Sequence, residues 1–358
     1  MQIIFLPDYS ATSAYQTELA SALAAQGHTV GYAGTGGLFA LSKAALNNPR
    51  AGILHIHWMH ALVPDGQGGM KVKFREFCLR LDIFLARKLL RKKLVWTVHN
   101  KLSHECRDAK AELSVRKLLC RQCGSIIMHC GQAKESLRDY YGLDEVKISV
   151  IPHGHFIGTY PNTVSRADAR RRLGIAQDAF VYCCLGWIRP YKLVPEVIES
   201  FRRLNGGNNC LVVAGSPMNG DMERRVIEAA NGMPNVKLFF GFIKPEDIQC
   251  YLNAADIMVL SYSRILNSGA AALAMSFSKP VIAPKMGCLP EMLGPRGAFF
   301  FNPDAPDGLF EAMKAAAAGD AAGLAEMGRR NFVRIAKCDW RSIARDTICA
   351  YQMAHARS

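Results

Sequence analysis

Two stretches of this sequence gather residue types that handle phosphate. Gly186-Trp187-Ile188-Arg189-Pro190-Tyr191-Lys192 puts two cations in one short loop. A planar Arg fork and a Lys point charge suit a diphosphate that gains negative charge as it leaves. A lone Arg-x-x-Lys is more often a solvated basic turn. The second stretch, Ser261 to Gly269, ends in Asn267-Ser268-Gly269 ahead of a helical pattern at Ala270 to Phe277. Such a start caps a helix and also leaves N–H groups, backed by the helix dipole, for an anion. Taken alone, it is only a well-capped helix.

The elements around these loops alternate strand and helix. Met1 to Leu6 reads as a buried strand closed by Pro7-Asp8, Ser13 to Gln26 as a helix ending at Gly27, and Thr29-Val30 opens the next strand. Short apolar strands recur at 53–57, 94–98, 125–129 and 147–151, which is the order of a parallel βαβ sheet. The texture changes after Pro152. A charged helix at Arg166 to Leu173 leads into a second series of strands at 180–185, 210–214, 236–240, 257–260 and 280–283, and Trp340 to Ala354 is helical. The expected fold class is α/β, with two Rossmann-like doubly wound domains facing a central cleft. Residues 1–165 would form the first, 166–338 the second, and 339–358 a terminal helix that packs back on the first. In such sheets the ligand lies beyond the carboxyl ends of the strands, where both loaded loops fall.

The two loops, with the strands between them, resemble the nucleotide-binding half of GT-B glycosyltransferases related to family 4. The matching pieces are Gly186, Arg189 and Lys192, the strand ending at Gly215, Val236 to Phe242, Tyr251-Leu-Asn-Ala-Ala-Asp256, and Leu273 to Ala283. The first half resembles the same family through Glu18 to Val30, Thr97-Val-His99-Asn and Ile151-Pro-His153-Gly154. The resemblance implies that Arg189 and Lys192 hold the donor diphosphate, that Ser268 and Gly269 donate to it, and that Phe242 and Ile243 lie on the nucleobase side. It places His99 and the loop of Asp8, Tyr9 and Ser10 on the acceptor side, with His153 and Gly154 near the crossover. Glu291, in Gly287-Cys-Leu-Pro-Glu, is a cleft candidate or a cap for its own helix. Retaining members carry two glutamates eight positions apart, and the matching positions here are Ile265 and Leu273. A retaining outcome is therefore not carried over. Inverting enzymes of this architecture use a carboxylate or histidine of the first domain as base, which makes Asp8 and His99 the catalytic candidates. A structural histidine at a strand end is the alternative for His99, and for His55, His57 and His155 the structural reading is preferred.

The segment Lys71 to Lys93 carries Phe74, Phe77, Cys78, Leu81, Phe84, Leu85 and Leu89 at helical spacing among nine Lys and Arg residues. That pattern suits an anionic membrane surface, and equally a domain helix with a solvated basic face. Part of the stripe is expected to cover the sheet while the positive charge faces outward.

A net charge of +14 admits three polyanionic partners: nucleic acid, anionic lipid and pyrophosphate substrates. No basic groove with interleaved aromatics points to nucleic acid. The first strand runs into Pro7-Asp8-Tyr9-Ser10 without Gly-x-Gly-x-x-Gly, which sets aside a dinucleotide-dependent dehydrogenase. The twelve cysteines show no paired zinc spacing and suit reduced thiols. The amino terminus lacks a basic n-region, and no run reaches the ~20 apolar residues of a span, so a cytoplasmic protein is expected, peripheral on the inner face of the membrane. The expected activity is transfer of a hexose or hexose derivative from a UDP- or GDP-linked donor to a lipid-linked or polysaccharide acceptor, as in exopolysaccharide assembly. No Asp-x-Asp motif is present, so neither cofactor nor metal is expected. A nucleotide-sugar epimerase of the same architecture is the alternative.

Overall fold

The computed structural model describes residues 1–59, 62, 69–103, 108–204 and 207–357. It consists of two compact units, Met1–Gly154 with Cys338–Ser358, and His155–Lys337.

The first unit holds strands β1 (Gln2–Leu6), β2 (Thr29–Tyr32), β3 (Ile53–Ile56), β4 (Lys93–Val98), β5 (Ser125–Met128) and β6 (Ile148–Val150). They form a parallel sheet in the order β2-β1-β3-β4-β5-β6. Its helices are α1 (Ala14–Ala24), α2 (Ala40–Asn47), α3 (Met70–Phe84), α4 (Ala109–Gln122) and α5 (Gly131–Tyr141). The central strands are covered on both faces, which is why they read as unbroken apolar runs: Ile3, Ile4, Phe5 and Leu6 are all fully buried. Each such side chain contributes about 1.5–3 kcal/mol through removal from water.

The second unit holds β7 (Phe180–Leu185), β8 (Asn209–Gly215), β9 (Val236–Phe240), β10 (Ile257–Val259), β11 (Val281–Pro284) and β12 (Ala298–Phe301), again all parallel, in the order β12-β11-β10-β7-β8-β9. Its helices are α6 (Arg166–Arg172), α7 (Val194–Arg202), α8 (Gly220–Ala230), α9 (Ile248–Ala254), α10 (Gly269–Ser276), α11 (Leu289–Leu293), α12 (Gly308–Ala317) and α13 (Ala321–Ile335). The last helix, α14 (Trp340–Ala356), belongs to the first unit, where it packs on α1, β4 and β5. Gly124, just before β5, admits it: a Cβ there would lie 2.8 Å from the Ala354 Cα.

Most buried charges in both units are hydrogen-bonded. Asp82 of α3 accepts from the Leu41 and Ser42 N–H groups at 2.9 and 2.8 Å, capping α2 from outside. Lys92 donates to the carbonyls of Pro49 and Ala51 at 2.7 Å. Arg170 donates to the carbonyls of Gln177, Ala179 and Ala254 and pairs with Asp256 at 2.7 Å. Against this background, a buried polar atom left without a partner carries information.

Candidate functional sites

In each sheet the strand order reverses at one place, and the loops at its carboxyl edge are where a ligand belongs. In the second unit the reversal lies between β7 and β10, whose following loops are 186–193 and 260–268. They are fastened together. Ser261 Oγ donates to the Lys192 carbonyl at 2.5 Å, Ser263 N–H donates to the Tyr191 carbonyl at 2.9 Å, and the Tyr191 and Tyr262 rings stack at 6.1 Å. Gly186 follows β7 and Gly215 ends the neighbouring strand β8, and a Cβ on Gly215 would lie 2.1 Å from the Gly186 carbonyl oxygen. Only glycine fits there.

Lys192 lines a small cavity with Gly186, Cys184, Ser261 and Tyr262. Burial, then the nearby Arg189 charge, lowers its ammonium pKa to about 8, with the Cys184 side chain acting the other way. Among the described residues no carboxylate pairs with it, whereas Arg166, Arg170 and Arg203 all have one. A desolvated cation without an anion is a ready anion site. Arg189 is half-buried, its guanidinium carbon 5.3 Å from the Trp187 ring centroid.

Ser268 is the N-cap of α10 and its hydroxyl serves the fold: Oγ accepts from Ala271 N–H at 3.1 Å and lies 2.9 Å from the Tyr262 hydroxyl. The N–H groups of Gly269 and Ala270 stay without an intrahelical acceptor, so the donors this turn offers an anion are backbone ones. Beside them Asn267 Oδ1 is buried with no hydrogen-bond partner among the described residues. Cys288 N–H donates to the Leu266 carbonyl at 2.7 Å, bringing α11 against the same loop. Glu291 lies exposed in the first turn of α11. Ile265 and Leu273 are half-buried in and after this loop. Phe242 is exposed beyond the end of β9, with Ile243 half-buried next to it.

In the first unit the reversal lies between β1 and β3. Asp8 is exposed at the end of β1, and its Oδ1 accepts from the Ser10 N–H and hydroxyl at 3.0 and 2.7 Å. Buried Gln16 clamps this loop, accepting from Tyr9 N–H and donating to the Pro7 carbonyl, both at 2.9 Å.

Along the same edge the ends of β3, β4, β5 and β6 supply His55 and His57, His99, His129, and His153, all buried. Tyr15 of α1 stands among them, its ring centroid 5.0 Å from those of His99 and His153 and 5.7 Å from those of His57 and His129. His55 is fully satisfied by the Tyr351 hydroxyl of α14 and by Thr97 Oγ1, each at 2.7 Å, as befits a structural histidine. Among the described residues His57 has no hydrogen-bond partner at either ring nitrogen, and His99 none at Nε2. Desolvation lowers the pKa of all five, His55 and His129 to about 3 and His153 to about 4, so they are neutral at pH 7. His99 stacks on Trp58 at 4.5 Å and 14°, and Tyr9 lies 5.3 Å from Trp58. Gly154 lets the chain pass α14, since a Cβ there would sit 2.5 Å from the Trp340 indole. His155 belongs to the second unit and accepts from Ile157 N–H at 3.3 Å.

Sequence reasoning did not single out Tyr15, Trp58 or His129. His129 was within reach as a polar residue ending an apolar strand, the signal that marked His99.

Comparison with known proteins agrees with this layout. Residues 12–155 match the model of Glycosyltransferase Family 4 and residues 165–330 that of Glycosyl transferases group 1. The chain is 24% identical over 315 residues to a GDP-mannose:glycolipid 4-beta-D-mannosyltransferase of Xanthomonas campestris pv. campestris, covering 85% of this chain and 82% of that protein. It is 25% identical to a lipopolysaccharide 1,2-N-acetylglucosaminetransferase of Salmonella typhimurium, over 56% of this chain and 51% of the other. Among solved structures, sucrose-phosphate synthase from Thermosynechococcus elongatus superposes with a TM-score of 0.77 at 18% identity, covering 100% of this chain and 99% of that one. Anabaena HepE in complex with UDP superposes with a TM-score of 0.76 at 17% identity, covering 98% and 100%. Two parallel six-stranded sheets, each with its loaded loops at the strand-order reversal, and two family models in tandem lead to one assignment: this chain belongs to the GT-B glycosyltransferases related to family 4.

Proposed function

We propose that this glycosyltransferase moves one hexose or hexose derivative from a nucleoside diphosphate sugar to a lipid-linked saccharide at an anionic membrane surface. The observation that carries the donor side is Lys192, a partly desolvated cation without a carboxylate partner at the reversal between β7 and β10. Lys192 and Arg189 neutralise the departing diphosphate, and the free N–H groups of Gly269 and Ala270 add donors. Phe242 and Ile243 supply the nucleobase side. These groups do the work that a metal does elsewhere, so transfer proceeds with chelator present. The mannosyl relative makes GDP-mannose the first donor to try.

On the acceptor side His99 is the base, with Asp8 the second candidate, and Tyr9, Ser10 and Trp58 border it. His99 is preferred because its Nε2 is a buried nitrogen with no partner, whereas Asp8 already accepts two hydrogen bonds from Ser10.

The membrane reading rests on α3. Val72, Cys78, Leu79 and Ile83 face the core, while Met70, Phe74, Phe77, Leu81 and Phe84 form a second apolar stripe that is exposed, 57% and 61% for Phe74 and Phe77. Arg and Lys side chains flank that stripe along the segment up to Lys93. An exposed aromatic stripe rimmed by cations matches the chemistry of an anionic bilayer: rings enter the acyl boundary and cations meet the headgroups. No helix among the described residues is long and apolar enough to cross a membrane.

A thermal-shift screen with UDP, GDP, CDP and dTDP tests the donor side, since a ligand specific for the folded state raises its melting temperature. At least one diphosphate stabilises the parent and fails to stabilise Lys192→Ala. Equal shifts in both would place the donor elsewhere.

A further inference from the structure

Hydrogen-bond chemistry fixes the protons along one row of the buried imidazoles. The Ile151 carbonyl can only accept, and it lies 3.0 Å from His129 Nδ1, so that nitrogen carries a proton. His129 is fully desolvated and neutral, which leaves Nε2 as its lone pair. That lone pair lies 3.3 Å from His99 Nδ1, which must therefore be the donor. His99 is neutral as well, for the same reason, so its second nitrogen, Nε2, is unprotonated. This Nε2 is the buried atom with no partner. The order is Ile151 carbonyl, His129, His99, and then a buried lone pair without a partner among the described residues.

We propose that His129 is a positioning residue that holds His99 in the Nδ1–H tautomer, so that the Nε2 lone pair is presented to the acceptor hydroxyl. The proposal rests on the reading of His99 as the base and adds how the fold keeps it competent. Without His129 the ring can rotate or switch tautomer, and an Nε2–H form cannot take a proton.

The step balances within this row. As the acceptor oxygen bonds to the anomeric carbon, its proton moves to His99 Nε2. The bond from that carbon to the diphosphate oxygen breaks, and its electron pair leaves with the nucleoside diphosphate. The imidazolium keeps its Nδ1–H on His129 Nε2, and His129 keeps its own Nδ1–H on the Ile151 carbonyl, so no proton travels further. His99 returns its proton to solvent after product release. His57, His153, Tyr15 and Trp58 pack around His99 from β3, the β6 end, α1 and the β3 loop, and none of these groups is anionic at pH 7. His129 Nε2 is the hydrogen-bond acceptor that the imidazolium has at Nδ1.

The test is a double-mutant cycle on the full-length protein, read as kcat and KM for transfer, with a melting curve for each variant. His129→Phe keeps the ring and removes the acceptor; His129→Gln keeps an acceptor and serves where Phe does not fold. The expected result for His129→Phe is a kcat lower by roughly 10–100-fold with donor KM unchanged, and partial recovery with Gln. In a His99→Ala background the same change has no further effect, because a residue that acts only through His99 has nothing left to act on. Additive losses would overturn the positioning role and leave His99 as base. Parent-level kcat in His99→Ala would overturn the base reading and the proposal with it. Imidazole nitrogen NMR supplies a readout apart from turnover: the proposal requires protonated Nδ1 in His99 of the parent, and an Nε2–H tautomer there overturns it.

Discussion

Ser261 Oγ donates a 2.5 Å hydrogen bond to the carbonyl of Lys192, so the loop after β10 holds the lysine that the loop after β7 supplies. Neither loop is loaded alone. Joined, they surround a cation whose pKa burial has brought down to about 8.

That value sets a pH test. Lys192 is an ammonium below about pH 8, and a bound diphosphate favours that form, so the bound-state pKa rises above the free one. Donor affinity should fall as pH rises past 8, and binding at pH 8 should take up protons, which calorimetry in buffers of different ionisation enthalpy reads. Pure pH independence from 7 to 9 would contradict the site.

Loss of either cation should cost more in turnover than in binding, because diphosphate charge grows toward the transition state. Arg189→Ala and Lys192→Ala should each lower kcat by roughly 10²–10³ with donor affinity falling less, and Arg189→Lys should restore only part. Melting temperature should barely move for Arg189→Ala and should not fall for Lys192→Ala, since a cation whose pKa burial has lowered opposes folding at neutral pH. Parent-level kcat in both folded variants would displace the diphosphate site.

The buried imidazoles predict an acid-sensitive first unit. Their folded pKa values lie below the ordinary 6.5, at about 3 for His55 and His129 and about 4 for His153. The unfolded chain therefore binds more protons below pH 6.5, and stability is lost as pH falls toward those values, with a slope of up to about 1.4 kcal/mol per pH unit for each histidine. Melting temperature should be level between pH 7 and 8 and drop between 6.5 and 5, a window in which ordinary carboxylates remain ionised. A level profile down to pH 5 would show that the rings are not desolvated as described.

The exposed stripe of α3 predicts binding to anionic vesicles that weakens with salt, because screening acts over about 8–10 Å near physiological ionic strength. Phe74→Ser with Phe77→Ser should reduce flotation, as should Gln at Arg87, Lys88, Arg91, Lys92 and Lys93. Arg87 and Lys92 differ from the other three: the half-buried Arg87 guanidinium donates to the Gln122 side chain and the Lys92 ammonium is spent on the Pro49 and Ala51 carbonyls, so their replacement should also lower the melting temperature. Undiminished flotation of the aromatic variant would remove α3 as the contact.

Strands were legible because parallel strands buried on both faces read as apolar runs: Phe180–Leu185 and Val236–Phe240 match the observed β7 and β9 residue for residue. β12 escaped notice, being the short Ala298–Phe301 after a Gly-Pro stretch. The two loops at the strand-order reversal of the second sheet were legible because each is local in sequence. The imidazole row was not, because His57, His99, His129 and His153 are separated by 42, 30 and 24 residues and meet only once the order β1-β3-β4-β5-β6 exists. The exposed stripe of α3 was also hidden in part: the spacing shows that apolar residues share a helix, but two stripes of one helix look alike until the fold buries Val72, Leu79 and Ile83 and leaves Phe74 and Phe77 out.

The central claim is transfer, and it is tested most directly by incubating the purified protein with GDP-mannose or UDP-hexoses, with and without a lipid-linked saccharide in anionic vesicles. The account predicts release of nucleoside diphosphate and a lipid acceptor longer by one hexose only when both substrates are present, at an unchanged rate with EDTA. Conversion of the donor to an epimer without acceptor, or no acceptor product with any donor, would contradict it.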